Sequence, residues 1–479
     1  MGGVKKDTTP PDPRSTQSNQ EPNTSEKSKQ KITAQDLGTL PVTQLLKYYA
    51  LPSLVGSIVN SLYNVIDRIF IGQGVGSLAL SGLAITFPIL ILFQAFGVLI
   101  GAGSSARISI LLGQKRDEEA ESLLGNAFVL TLLTSLTLIT LMMVFLDSIL
   151  LSFGASAATL PFAREYLVIV IPGNIFANLT YSYSAIMRAT GYPRKSMTAM
   201  IIGAVLNVIL DALFIYVFNM GIQGVAWATV ISMFVSSIYV MQHFRDPQSL
   251  LRIKPKYFKL QKHHILGIVS IGIAPFAIHI TASVVNIIKN TSLVRYGGDY
   301  AVGANGIVNS IAVLIIMMMM GFTLAMQPVV GYNFGAGHTH RVREAYSTTR
   351  RINVLIGVVG SLLSFFVPQV FARLFTTDPE LLAVTERAIR IELLALWAVG
   401  FQMTTGQFFQ SIGSAWRAAT ISLSRQVFFL IPLLYLLPRI GMQLDGIWAA
   451  APISDFLALV TAAIMMHLYR QKTSTSSHS

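Results

Sequence analysis

Long, mostly apolar runs separated by short polar or charged patches recur along this chain and set its architecture. Each run is about as long as a helix must be to cross a ~30 Å hydrocarbon core. Twelve can be drawn, at roughly 46–71, 83–112, 126–151, 165–187, 196–218, 223–243, 265–290, 302–330, 352–375, 388–411, 420–438 and 446–468. Glycine-containing turns, Asn219-Met220-Gly221 and Arg439-Ile440-Gly441, join the fifth run to the sixth and the eleventh to the twelfth. Residues 1–40 are polar, lack the apolar stretch of a secretory signal and cannot bury enough area to order themselves, so a disordered tail is expected there.

The runs fall into two sets of six that repeat each other. One ungapped offset pairs Gly76 with Gly298, Gly113 with Gly335, Phe153 with Phe375, Gly191 with Gly413, and Gly224 with Gly446. It also lays Asn64 over Asn286, and Ile231-Ser232 over Ile453-Ser454. Six is an even number, so both copies enter the membrane in the same sense, and a pseudo-two-fold axis along the membrane normal follows. The expected architecture is an all-α polytopic membrane protein with twelve transmembrane helices in two six-helix lobes. An N-terminal lobe spans 41–243, an inter-lobe loop 244–264, a C-terminal lobe 265–469 and a short tail 470–479. Such halves, facing each other across a cleft, are the signature of a transporter.

Composition agrees. Charged residues are 12% of the 479 residues and hydrophobic ones 53%, against about 25% charged in a soluble protein. The net charge of +13 would suit a nucleic-acid partner, but the basic residues follow topology instead. One set of loops holds Lys115 and Arg116, then Arg188, Arg194 and Lys195, then the cluster from Arg245 to Lys262, then Arg341 to Arg351, Arg417, Arg470 and Lys472. The opposite set offers few: Arg164, Arg295, Arg373 and Arg439. The rich side is expected to be cytoplasmic, with both termini inside and no nucleic-acid partner. The absence of cysteine removes disulfides, thiolate metal sites and Cys nucleophiles.

Ionisable groups inside the runs are few: Asp67, Asp211, Lys289, Glu392 and Asp455. Each costs ~2.5–3.5 kcal/mol to place in hydrocarbon, which makes it a candidate functional residue. Asn207 and Asp211 are spaced i, i+4 and share a helix face. They form either a structural pair between helices or a cavity-facing site for H⁺ or a hard cation such as Na⁺. Asp67 precedes the Gly72/Gly74/Gly76 turn and is either an interface residue or a partner of that site. Arg68 beside it need not face it. By the repeat, Asp67 lies over Lys289, which either snorkels outward or lines the second lobe's cavity. Glu392 and Asp455 are candidates for a polar site with Lys289 in that lobe.

Other chemistry has no candidate. There is no Gly-Lys pair and hence no P-loop, and neither His-Glu-x-x-His nor Gly-x-Ser-x-Gly occurs. The chain is therefore not expected to be an enzyme or to carry a cofactor. His263-His264 and His338/His340, lacking acidic or Cys companions in sequence, are expected on a solvated surface rather than on metal.

The chain also resembles a known family, the multidrug and toxic compound extrusion (MATE) transporters, from about residue 40 to 470. The resemblance rests on Val65-Ile66-Asp67 with Phe70-Ile71-Gly72, Met187-Arg188-Ala189-Thr190-Gly191, Asn207 to Asp211, and Gly224-Val225-Ala226-Trp227-Ala228-Thr229. In the second half it rests on Gln327-Pro328-Val329-Val330-Gly331-Tyr332-Asn333-Phe334-Gly335 and Phe409-Gln410-Ser411-Ile412-Gly413. Ser424-Arg425-Gln426 to Ile431-Pro432 looks most like the MepA-like branch. The resemblance implies an antiporter in a bacterial inner membrane that exports amphipathic or cationic organic compounds in exchange for H⁺ or Na⁺. It implies a first-lobe cation site at Asp67, Asn207, Asp211 and Thr229, a helix-1 hinge at Pro52, small molecules and membrane lipid as partners, and a monomer. In the second lobe Leu433 replaces Asp211 and Ala451 replaces Thr229, so a symmetric second ion site is not expected. A lipid-linked saccharide flippase of the same superfamily is the alternative, with Lys289 as the cation to hold a pyrophosphate.

Overall fold

Glycine and charged turns end the helices close to where the apolar runs stop. In the computed structural model, residues 2–3 and 35–475 are described, and those from 35 onward belong to one compact unit. Among the described residues there are helices and turns and no strand. The principal elements are α1 (Val42–Gly74), α2 (Ser77–Gly113), α3 (Asp117–Val144), α4 (Leu160–Ala189), α5 (Pro193–Ala212) and α6 (Gly221–Arg245). The long stretch Lys262–Gly335 breaks at Gly298 (φ 63°, ψ −159°) and is treated as α7 (262–297) and α8 (299–335). Then come α9 (Thr339–Phe366), α10 (Pro379–Glu392), α11 (Leu396–Ser411), α12 (Ala415–Leu423) and α13 (Gln443–Thr475). Between the last two, Ser424–Leu430 is π-helical and Ile431–Leu437 is α-helical. Among the described residues, eight helical segments are long and apolar enough to span a membrane by length and composition; two of these, Lys262–Gly335 and Ala415–Lys472, contain breaks.

The repeat is written into the backbone. Ten left-handed residues fall in five pairs: Gly76 with Gly298, Lys115 with Gly337, Gly191 with Gly413, Asn219 with Gly441, and Gly221 with Gln443; Gly154 has no such mate. Lys115, Asn219 and Gln443 hold this conformation (φ 59°, 52° and 46°) without being glycine, at a steric cost that the rest of the turn must offset. Each lobe has its own apolar core, around Ile71, Phe93 and Ile171 in the first and around Leu293, Ile389 and Trp448 in the second.

α2 and α8 cross on the pseudo-axis. Gln327 Nε2 donates to Ser105 Oγ at 2.6 Å, and these residues, 222 positions apart, are mates in the repeat. Gly113 approaches the Tyr332 carbonyl, and Gly335 approaches the carbonyl of Ile110, the repeat mate of Tyr332. Any Cβ at either glycine would fall inside the radius of that oxygen, so the crossing can exist only with glycine on both helices. Gly113→Ala and Gly335→Ala are each expected to destabilise the protein by ~1–3 kcal/mol, the usual cost of overpacking a tight contact. Thermal unfolding of the purified variants in detergent measures it, and an unchanged midpoint in both would disprove the close crossing.

Two pseudo-equivalent straps tie the lobes at this end. The first is the segment before α1, which places buried Leu37 on the second lobe: its carbonyl accepts from Asn333 Nδ2 at 2.8 Å and Arg341 NH2 at 3.1 Å. Residues Gln35–Gly38 form a 3₁₀ turn there, which corrects the expectation of a disordered tail to residue 40; its remainder, apart from residues 2–3, lies outside the described residues. The second strap is the inter-lobe segment before α7, which lies on α3 of the first lobe. Asn126 donates to the carbonyls of Tyr257 and Lys259 (3.1 and 3.3 Å) and accepts from Gln261 N at 2.7 Å. Tyr257 donates to Glu118 at 2.9 Å, and Lys254 pairs with Glu121.

Candidate functional site

The first lobe gathers two acids in its interior. Asn207 and Asp211 share one face of α5, one turn apart, and both are buried, Asp211 fully. The helix then widens into a π-turn at Leu213–Val217, an irregularity often found at functional sites. Asp67, from α1, brings its carboxyl group alongside that of Asp211. Tyr166 of α4 is near enough to feel the charge of both acids and lies within hydrogen-bond reach of buried Thr229 on α6. Four helices thus converge on one small polar centre. The side chain of Asn64 is outside those described.

This centre is short of hydrogen bonds. Asp67 Oδ1, both oxygens of Asp211, and both polar atoms of Asn207 are buried without a hydrogen-bond partner. Two carboxylates facing each other are acceptors only, and such a pair is stable only if a proton or a cation lies between them. Arg68 acts on Asp67 only at a distance, without an ion pair; its guanidinium lies over the Phe87 ring, 5.3 Å from the centroid. The donor set of carboxylate, amide and hydroxyl oxygens is that of a hard-cation site.

The second lobe holds a different arrangement. Lys289 of α7 pairs with Glu392 of α10, each side chain only 12% exposed. Lys289 therefore turns inward and does not snorkel. Arg425, in the π-helical stretch, pairs with Asp455 of α13, and the two pairs lie close enough to act on each other. Next to Arg425, Gln426 accepts from Thr281. The three residues singled out in this lobe thus come together, joined by Arg425, whose charge balances the cluster at two acids and two bases.

Sequence reading missed Tyr166 and the role of Arg425. A tyrosine next to Glu165 in an apolar run carries no sequence signal; only packing aims it at the acids. Arg425 lay in view inside a motif, but nothing in the chain pairs it with a residue 30 positions away. Pro52 sits buried inside α1. Beside it Ser53 Oγ bonds back to the Tyr49 carbonyl at 2.9 Å and Ser57 Oγ to that of Ser53, contacts that favour a bend. Met317–Met320 divide among environments, Met319 fully buried and Met318 and Met320 exposed.

Comparison with known proteins agrees with this geometry. Multidrug export protein MepA of Staphylococcus aureus (strain MSSA476) is 25% identical over 432 residues, covering 90% of this chain and 95% of that protein. MepA of Staphylococcus haemolyticus (strain JCSC1435) is 26% identical over 421 residues, 87% of this chain and 92% of its own. A crystal structure described as MATE in the bent conformation superposes with a TM-score of 0.89 at 22% identity, covering 94% of this chain and all of that one. The MatE family pattern matches residues 52–213 and, a second time, residues 275–436, one match in each half of the repeat. With each half of the repeat carrying that pattern, the chain belongs to the MatE family of membrane transport proteins.

Proposed function

We propose that this protein is a secondary multidrug efflux antiporter, exporting amphipathic or cationic organic compounds in exchange for H⁺ or Na⁺. The observation that carries the reading is the first-lobe centre, where Asp67 and Asp211 face each other with their buried oxygens unpartnered. Such a pair releases its proton or cation only when solvent or a replacement reaches it, which couples its occupancy to which side of the membrane the cleft opens. Asn207 and Thr229 supply the neutral oxygens that a bound Na⁺ would need, and Tyr166 of α4 lies within hydrogen-bond reach of Thr229. α1 carries both Asp67 and Pro52, so bending at the proline would shift one acid relative to the other. Drug export by the MepA relatives fits the same reading.

In this proposal the strapped, basic end is cytoplasmic, both termini are inside, and a monomer in the inner membrane does the work. No cofactor beyond the coupling ion is needed. The second lobe, with its charges already balanced, serves mainly as the opposite wall of the cleft. A pyrophosphate-holding flippase would need free cations there, whereas Lys289 and Arg425 are each engaged by a carboxylate. The test is ethidium efflux from cells expressing the protein, with and without a sodium gradient at constant pH. Efflux above the empty-vector level is expected, collapsing when the coupling gradient is removed. Efflux no faster than the vector control under either gradient would refute the antiporter.

A further inference from the structure

Where the second strap meets the first lobe, the fold brings together three metal-binding side chains. Glu119 comes from the first turn of α3, and His263 and His264 from the first turn of α7. One ligand atom from each lies within 4.8 Å of the others. They line a cavity of about 480 Å³ that also includes Ser122 and Tyr257. The sequence places the histidines more than 140 positions from Glu119, so only the fold supplies the acidic companion they lack in the chain.

His264 is the decisive member. It is 1% exposed, contrary to the solvated surface expected for it, and its Nδ1 has no hydrogen-bond partner. Its Nε2 lies 3.1 Å from Ser122 Oγ. With Nε2–H donated to that oxygen, Nδ1 keeps a free lone pair, the arrangement in which an outer hydrogen bond fixes the tautomer and orientation of a metal-binding imidazole. His263 lies beside it with the rings tilted by 44° and their centroids 4.0 Å apart, and remains exposed, which provides an entry path. Arg116 pairs with Glu119, but its side chain is 59% exposed, and such a surface pair yields to a competing cation at little cost.

We infer that Glu119, His263 and His264 form a binding site for a first-row divalent transition metal that staples the two lobes together at the strapped end. Two imidazoles and one carboxylate suit Zn²⁺ or its neighbours, with water in the fourth position, rather than Mg²⁺ or Ca²⁺, which prefer oxygen throughout. Because Glu119 belongs to the first lobe and the histidines to the helix that opens the second, a metal bound to all three resists separation of that helix from α3. Bound metal therefore slows any cycle that requires this end to open.

The experiment titrates the purified full-length protein with Zn²⁺ alone, reading affinity by competition with a chromophoric chelator and stability by thermal unfolding. One equivalent is expected to bind and raise the unfolding midpoint, since the metal binds only the folded arrangement. His263→Ala, at an exposed position that folding does not need, and Glu119→Gln should each weaken binding at least tenfold and remove the stabilisation. Ser122→Ala keeps all three ligands and should weaken binding by a smaller factor through loss of imidazole orientation. Zn²⁺ should slow ethidium efflux by the wild type and not by His263→Ala. Absence of binding at micromolar Zn²⁺, or binding unchanged in His263→Ala and Glu119→Gln because the metal sits elsewhere, such as at His338 and His340, overturns the site. Binding that leaves wild-type efflux unchanged overturns the staple. The binding readout stands whether or not the chain proves to be an antiporter.

Discussion

Asp211→Asn is expected to abolish export while leaving the protein inserted and at least as stable as the wild type. The substitution keeps the shape of the side chain and removes the charge that a proton or cation would neutralise. It also turns an acceptor into a donor. The new amide can bond to the Asp67 carboxylate beside it, where a hydrogen bond to a charged group is worth ~1.5–3 kcal/mol. Loss of function with a gain in stability is what a site under functional strain should show. A purely structural acid would give the opposite result, with reduced stability and residual transport. Ethidium efflux at matched expression, together with thermal unfolding in detergent, reads both quantities. Undiminished efflux in Asp211→Asn would sink the coupling role.

The second large effect lies in the other lobe. Lys289→Met is expected to cost ~3–5 kcal/mol, because it leaves the largely buried Glu392 carboxylate without its ion-pair partner. Glu392 Oε2 already lacks a partner, so little remains to absorb the charge. The double variant Lys289→Met/Glu392→Gln should recover most of that loss, since replacing both members of a buried pair is often neutral. If the second lobe is chiefly a wall of the cleft, the double variant should also keep export. A single variant as stable as the wild type would mean that the pair is solvated. A stable double variant with no export would instead place Lys289 or Glu392 in the transport mechanism.

The two lobes thus solve the same problem, ionisable groups in an apolar interior, in different ways. The first sets two acids beside each other with buried oxygens that have no hydrogen-bond partner. The second carries its positive charge on its own chain, with Lys289 standing where the repeat would have an acid. That contrast was half-visible in the sequence: the offset that aligns Asn64 with Asn286 also exchanges Asp67 for Lys289. What Lys289 touches was not visible. Snorkelling and lining a cavity were equally consistent with its place in the run, and the choice depended on Glu392, which arrives from a helix 103 residues away.

By itself, the sequence determined the class, the repeat and the list of candidates. Apolar length is a local property, and so is the cost of a charge in hydrocarbon; both can be read along a single chain. The repeat was equally legible, because glycines needed for left-handed turns and close crossings recur at one spacing. The i, i+4 relation of Asn207 and Asp211 followed from helix geometry alone. The tertiary structure decided who meets whom. It brought Asp67 of α1 to Asp211 of α5 and set Tyr166 within range of both. It paired Arg425 with Asp455, folded the residues before α1 onto the opposite lobe, and set Glu119 beside two histidines. Each of these contacts joins distant parts of the chain, and its geometry depends on the packing of whole helices, which no local pattern of residues records.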